Sequence, residues 1–226
     1  MDIGAFLFII LAMTILEKII GSPSRLKVVR FFLQNPAKVV TARELAKILQ
    51  ISSPSASRDL AFTKSIELVK PSTRLDIIER KGKSKRKKIS GFVLSSDFAF
   101  FQPMHNLVIG ASPVSREKMT KYFKSKKAIQ LVALGGVFVQ ETNFPKNILP
   151  SEGDVEKDNR LDLLIVANKI KKNNIEPFIK KIECEIGKEL VWALFSEREF
   201  EYRSGMHDKF LRDLFDYPHE ILINKI

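Results

Sequence analysis

The stretch from Thr41 to Leu94 combines two short helical patterns with a pair of strand-like runs, and it most constrains the fold. Thr41 and Glu44 have the spacing of a capping box, in which a threonine hydroxyl and a glutamate carboxylate each accept a bond from the other's backbone amide. A helix is therefore predicted to begin here. Its predicted apolar face is Leu45, Ile48 and Leu49.

A second helix is predicted to begin at Ser53-Pro54, a cap residue followed by proline in the first helical turn. Residues 51–53 form the intervening turn, and an upstream helix over 25–34 supplies a third apolar stripe. Residues 38–40 are predicted to form a short strand before the second of these helices. The predicted core of this bundle is Leu26, Val29, Leu33, Leu45, Ile48, Leu49, Ala56 and Leu60.

Two strand-like runs, Arg74–Arg80 and Lys87–Leu94, flank a basic turn. Seven of the nine residues from Arg80 to Lys88 are lysine or arginine, and like charges at this density favour an anionic ligand. Helix, turn, helix and basic hairpin together predict a winged helix, which places one helix in the major groove of DNA. The predicted phosphate contacts are Lys81, Lys83, Lys85, Arg86, Lys87 and Lys88.

The N-terminal turns of the second helix are predicted to face the groove. Ala56 and Leu60 point inward at i,i+4 spacing, which leaves Ser55, Ser57 and Arg58 on outer or flanking positions. An arginine in this place suits guanine or phosphate, and short serines permit close approach. The alternative is that Arg58 lies on the surface in an ion pair with Asp59 or Glu67.

Charge is distributed unevenly along the 226 residues, whose formal net charge is +12. Residues 21–97 carry 17 basic against 6 acidic side chains, whereas residues 98–226 carry 20 against 18. This predicts a polyanionic partner for the first half, although charge alone does not separate DNA from RNA or an anionic membrane. The lone Cys184 and the scattered histidines predict a cytoplasmic protein with no disulfide, no metal site and no cofactor.

An apolar stretch precedes the basic region, from Ile3 to Leu16. A spanning helix needs about 20 such residues, and shorter runs are more often buried helices. We expect a buried or dimer-forming helix here. A membrane tether and an over-extended start of the reading frame are the alternatives.

The second half reads as strand, strand, helix, strand, helix, which predicts an α/β domain with a small sheet. The predicted strands are 129–134, 161–166, 190–195 and 221–223, with a loop over 137–158. A helix over 173–187 buries Ile175, Phe178, Ile179, Ile182 and Ile186 and leaves Cys184 off that stripe. A capping box at Ser196–Glu199 opens a helical region that includes Met206, Phe210 and Leu214.

These patterns divide the chain into four parts and predict a two-domain α+β or α/β fold. The apolar connector near residue 98, with Phe98, Phe100 and Phe101, is predicted to dock rather than float. The predicted parts are an apolar helix over 1–20, a DNA-binding winged helix over 21–97, a connector and helix over 98–127, and the α/β domain over 128–226.

Both halves resemble bacterial winged-helix regulators that carry a C-terminal domain of the nucleotidyltransferase fold. The resembling segments are LEKIIGSPSRLKVVRFFLQNP, TARELAKIL, GFVLSSDFAFF, VALGGVF, RLDLLIVANKI, KKIECEIGKEL and the tail from FSEREF to the last residue. Glu67 and Thr63 depart from the resemblance, since such domains often have glycine and leucine at these positions.

The resemblance implies where nucleotidyltransferase chemistry would lie. Active members have Gly-Ser after the first strand, Asp-x-Asp on the second and an acid on the next, which together hold nucleotide and two magnesium ions. This chain has Gly135-Gly136 and Arg160-Leu161-Asp162 instead, and no acid in residues 190–195. We therefore expect that the domain does not catalyse nucleotidyl transfer and that Asp162 is structural.

The expected function is DNA-binding regulation of transcription by a homodimer, with the second domain used for dimerisation or for sensing a small-molecule or protein effector. Two alternatives remain open. One is an active magnesium-dependent nucleotidyltransferase, and the other is an interaction module whose basic hairpin binds RNA or anionic lipid.

Overall fold

The computed structural model describes residues 15–80, 83–110, 116–139 and 161–226. In this part of the chain, helices combine with two small sheets, and the predicted mixed α and β composition is confirmed. Two compact units are present. The described residues 15–110 and 184–188 belong to the first, and residues 116–139, 161–183 and 189–226 to the second. The boundary falls within the predicted connector.

Three described helices of the first unit begin directly after a cap residue: α1 (Pro23–Gln34), α2 (Ala42–Leu49) and α3 (Ser53–Ser65). Ser22 caps α1 by accepting a bond from the Arg25 amide, and Thr41 and Glu44 form the predicted capping box of α2. Ser52, rather than the predicted Ser53, caps α3. A further helix of this unit is α4 (Phe101–Gly110).

The core predicted for these helices is buried with one exception. Ile48 is 38% exposed, because α2 turns Leu45, Ala46 and Leu49 inward instead. Phe98 is buried against the same core and Phe101 packs on it, but Phe100 is 66% exposed, contrary to the prediction.

A long antiparallel hairpin completes the first unit. Its strands are β1 (Val69–Arg80) and β2 (Lys83–Leu94), longer than predicted because the ladder continues from the basic turn to the base of the hairpin. The strand predicted at residues 38–40 is reduced to one bridge between Val40 and Phe92. A Cβ at Gly91 would lie 2.6 Å from the Val40 carbonyl oxygen, so this approach requires glycine.

The N-terminal apolar stretch is described only at its end. Residues 15–20 are helical, and Leu16 packs into the first core. The rest of the predicted 3–16 segment lies outside the described residues. Within the described ranges, no helix is both long and apolar enough to cross a membrane.

A mixed sheet forms the centre of the second unit. Its strands are β3 (Ile129–Leu134), β4 (Leu163–Ala167), β5 (Trp192–Phe195) and β6 (Glu220–Asn224), in the order β5-β4-β3-β6. β4 pairs antiparallel with β3 and parallel with β5, and every residue of β4 is buried, so both sheet faces are covered. The helices are α5 (Arg116–Lys124), α6 (Glu176–Ile186), α7 (Glu197–Gly205) and α8 (Lys209–Phe215).

Three expectations for the helical parts were wrong. Ser196 caps α7, but the Glu199 side chain bonds to Arg203 instead of completing a capping box. The predicted helical region is interrupted between α7 and α8, where His207 has a left-handed backbone with φ of 53°. Met206 lies at this interruption and is 66% exposed. Cys184 is buried, not set apart from the apolar side of α6. Most of the loop predicted over 137–158 lies outside the described residues.

Glu67, which follows the C-terminal end of α3, has a left-handed backbone with φ of 61°. A side chain costs about 1–2 kcal/mol in this region, and the extra freedom of unfolded glycine offsets only part of that cost. Glu67→Gly is therefore expected to raise the free energy of unfolding by about 0.5–1 kcal/mol. Thermal unfolding followed by circular dichroism measures this change. Glu67→Ala is the control, because alanine also has a Cβ and should not raise the free energy of unfolding. A lower melting temperature for the glycine variant would refute the strain.

Candidate nucleic-acid interface

Three candidate groove residues lie near the start of α3, but they differ in availability. The Ser52 hydroxyl donates to Ser55 Oγ at 2.9 Å and accepts from the Ser55 amide at 3.3 Å. Ser55 is half-buried and belongs to the helix cap. Ser57 is exposed, and the Arg58 side chain is 68% exposed. The two residues available to a ligand are thus Ser57 and Arg58.

The alternative ion pair between Arg58 and Asp59 is long, because Asp59 is fully buried while the Arg58 side chain extends into solvent. Arg58 Nε lies 4.0 Å from Asp59 Oδ1. Asp59 instead accepts a hydrogen bond from Ser24 at 2.5 Å and lies 3.5 Å from Arg25. Asp59 follows Ala56 by three positions, so helical spacing already places it on the inward stripe.

An exposed stripe runs along the whole of α3. Ser57 and Arg58 lie in its first half, and Lys64, seven positions after Ser57, lies on the same side of the helix. Our sequence reasoning missed Lys64, although helical periodicity was sufficient to find it. The exposed members of this stripe are Ser53, Pro54, Ser57, Arg58, Ala61, Lys64 and Ser65.

The hairpin presents its described cations on two faces. Arg86, Lys87 and Lys88 are all exposed. Arg86 and Lys88 lie opposite Ile77 and Leu75, while Lys87 lies opposite Asp76 on the other face. Lys81 lies outside the described residues, and for Lys83 and Lys85 only the strand backbone is described.

Arg74 links the hairpin to α2. Its guanidinium bonds to the Glu44 carboxylate, the Asp76 carboxylate and the Val39 carbonyl. Glu44 therefore closes the capping box of α2 and holds the hairpin at the same time. Sequence reasoning missed this link, whose only signal was a pair of charged residues, Arg74 and Asp76, on one face of a strand.

The acid stability of the first unit is expected to depend on this link. Burial by itself raises the pKa of Glu44, but hydrogen bonds from Arg74 and Thr41 outweigh it and hold that pKa below the ordinary value. A carboxyl group with a lowered folded pKa stabilises the fold above its unfolded pKa, and this contribution is lost as pH falls through the folded pKa.

We therefore expect the urea concentration at the unfolding midpoint of the first unit to decrease as the pH is lowered below about 4.3, the ordinary pKa of an unfolded glutamate. Arg74→Met should flatten that part of the profile. Lys70→Met, which removes a looser 3.7 Å pair with the exposed Asp97, serves as the matched control and should leave it unchanged. Parallel profiles for wild type and Arg74→Met would show that the link does not set the acid stability.

In the second unit, Asp162 joins the Gly135-Gly136 turn to the strand beside it. One carboxylate oxygen accepts from the Val137 amide and the other from the Val191 amide, each at 2.9 Å. Asp162 is 4% exposed. A Cβ at Gly136, where φ is 45°, would lie 2.2 Å from Asp162 Oδ1. Any side chain at position 136 would therefore collide with the Asp162 carboxylate, so this position requires glycine.

A small cleft adjoins this turn. The described residues that line it include Gly135, Gly136, Asp213 and Tyr217, and its volume is about 10 Å³. That is room for about one water molecule. Arg160, the remaining candidate residue, lies outside the described residues. β5 carries no acidic side chain.

Nothing among the described residues groups three or more histidine, cysteine, aspartate or glutamate side chains as a metal site. Comparisons with protein-family models, with curated proteins and with solved structures find no match to this chain.

Proposed function

We propose that this chain is a cytoplasmic DNA-binding regulator of transcription. In this proposal the first unit is a winged helix, α3 is its recognition helix and the β1–β2 hairpin is its wing. Arg58 and Ser57 contact base edges or phosphates at the start of α3, and the hairpin cations hold phosphates.

The observation that carries the proposal is the exposure of cations on two elements of one unit. Arg58 and Lys64 lie on the outer stripe of α3, and Arg86, Lys87 and Lys88 lie uncovered on the hairpin. The Arg74–Glu44 link holds the hairpin to the helical part, so both elements are presented together. Duplex DNA is a regular polyanion, and cations placed on two elements of one unit can neutralise several of its phosphates at once.

We further propose that the second unit is a nucleotidyltransferase-like domain without catalytic activity, used for dimerisation or for binding an effector. Two observations favour this. The Asp162 carboxylate is already bonded to two backbone amides, and the described cleft beside Gly135 is far smaller than a nucleotide. Magnesium-dependent transfer from any nucleoside triphosphate, abolished by Asp162→Ala without loss of fold, would establish the alternative.

Selection of bound duplexes from a random pool tests the proposal. We expect enrichment of a motif with two half-sites about 10 base pairs apart, since a two-fold dimer places two recognition helices on one face of the duplex. Arg58→Ala should weaken preference at one position within each half-site. A selected pool no different from the starting pool, at low salt and with folded protein, would contradict sequence-specific binding.

A further inference from the structure

The hairpin carries an apolar pair that the core does not use. Leu75 and Ile77 are each 67% exposed, and neither belongs to the apolar core of the first unit. They occupy alternate positions of β1, so both project from the same face of the hairpin. The residue between them, Asp76, lies on the opposite face with Arg74, which bonds to α2.

Cations lie directly beside both aliphatic side chains. Leu75 is the register partner of Lys88, and Ile77 is the register partner of Arg86. Side chains opposite each other in an antiparallel pair have Cβ atoms about 5 Å apart. The hairpin face is therefore two adjacent pairs, each of one aliphatic and one cationic group. A ligand that fits this hairpin face needs an apolar surface with anionic groups about 5 Å to the side of it.

The minor groove of a duplex has this chemistry. Phosphates border the groove on both sides, and leucine or isoleucine side chains are used there as wedges that part neighbouring base pairs. An anionic membrane offers similar groups, but membrane binding increases with buried apolar area and two side chains supply little. The exposed stripe of α3, with Ser57, Arg58 and Lys64, is polar and suits a duplex better than acyl chains.

We propose that Leu75 and Ile77 form a wedge that enters the minor groove and kinks the bound duplex, with Arg86 and Lys88 holding the bordering phosphates. This inference rests on the proposed DNA binding and adds to it a defined deformation. Unstacking a base step costs free energy, so the wedge is expected to favour flexible pyrimidine–purine steps such as TA. Sequence preference would then arise at a position without base-specific hydrogen bonds.

The test uses the full chain and an end-labelled duplex of about 20 base pairs with one central TA step. Energy transfer between the two ends reports the bend. The wild type is expected to increase transfer on binding. Leu75→Thr combined with Ile77→Thr removes the apolar groups but keeps strand preference, and Leu75→Val combined with Ile77→Val keeps both.

With the threonine variant, the end-to-end distance of the bound duplex should stay close to that of the free duplex. This variant should bind roughly tenfold more weakly than the wild type, with the same salt dependence. The valine variant should bend the duplex like the wild type. A wild type that binds with a steep salt dependence but leaves the duplex straight overturns the wedge and spares DNA binding. No binding to the duplex at low salt overturns DNA binding itself.

Two further outcomes would assign the hairpin face elsewhere. If vesicles of phosphatidylcholine and phosphatidylserine take up the wild type but not the threonine variant, while both proteins bend the duplex alike, the face is a lipid contact. A change of oligomeric state in the threonine variant alone, measured by sedimentation, would make it a contact with a second copy. Either result overturns the wedge.

Discussion

Alanine at Lys85, Arg86, Lys87 and Lys88 together is expected to weaken duplex binding on the order of a thousandfold near 0.1 M salt. Each lysine or arginine that neutralises a phosphate releases a counterion and contributes about −0.9 to the slope of log affinity against log salt. Removing four should therefore flatten the slope by about 3 to 4 units. Fluorescence anisotropy of a labelled duplex, titrated at several salt concentrations, gives both quantities.

A matched variant tests whether binding depends on where the positive charges lie or only on how many there are. Alanine at Lys121, Lys124, Lys171 and Lys181 removes the same formal charge from exposed positions of the second unit. Its slope should stay close to that of the wild type. Equal flattening by the two variants would mean that the excess charge of the chain, rather than the hairpin, drives binding.

Asp162→Ala is expected to destabilise the second unit by about 3–5 kcal/mol. The substitution leaves the buried amides of Val137 and Val191 without their acceptor, and each orphaned donor costs about 1–3 kcal/mol, with more lost when the acceptor was charged. Because the chain has two units, its unfolding need not be one transition. Trp192, the single tryptophan, lies in β5 and reports the second unit by its fluorescence.

Two controls accompany this variant. Asp216→Ala removes an exposed carboxylate that pairs with Arg212 at 3.5 Å, and it should change stability by less than about 0.5 kcal/mol. Gly136→Ala places a methyl group against Asp162 at a left-handed position and should destabilise the same transition. An Asp162→Ala protein as stable as Asp216→Ala would show that Asp162 is free for another role.

Local signals in the sequence predicted the start of α2 and the bounds of β3. Thr41 and Glu44 bond as their spacing indicated, and the predicted strand at 129–134 has the observed bounds, because capping and burial depend on residues close in the chain. Ile48 was assigned wrongly to a buried face, and Met206 lies between two helices rather than inside one. Periodicity gives the width of an apolar stripe but not which edge residue meets a neighbour.

The site was less predictable because its contacts join distant residues. Glu44 bonds to Arg74 thirty positions later, and Asp162 bonds to Val191 across the sheet. No local sequence pattern links the two residues of either pair. Asp162 was expected to be structural, and the prediction of a catalytically inactive domain remains a proposal. The exposure of Leu75 and Ile77 could not be inferred, since alternating apolar residues in a strand usually mark a buried face.

The most direct measurement of the central claim is competition at one salt concentration. The 226-residue chain bound to a labelled DNA duplex is challenged with unlabelled duplex DNA, duplex RNA of the same sequence, or phosphatidylserine vesicles. If the proposed DNA binding is right, duplex DNA displaces the label at the lowest concentration, because the major groove of B-form DNA admits an α-helix and the corresponding groove of A-form RNA is too narrow for side chains to read. Displacement by RNA or vesicles at equal or lower concentration would contradict it.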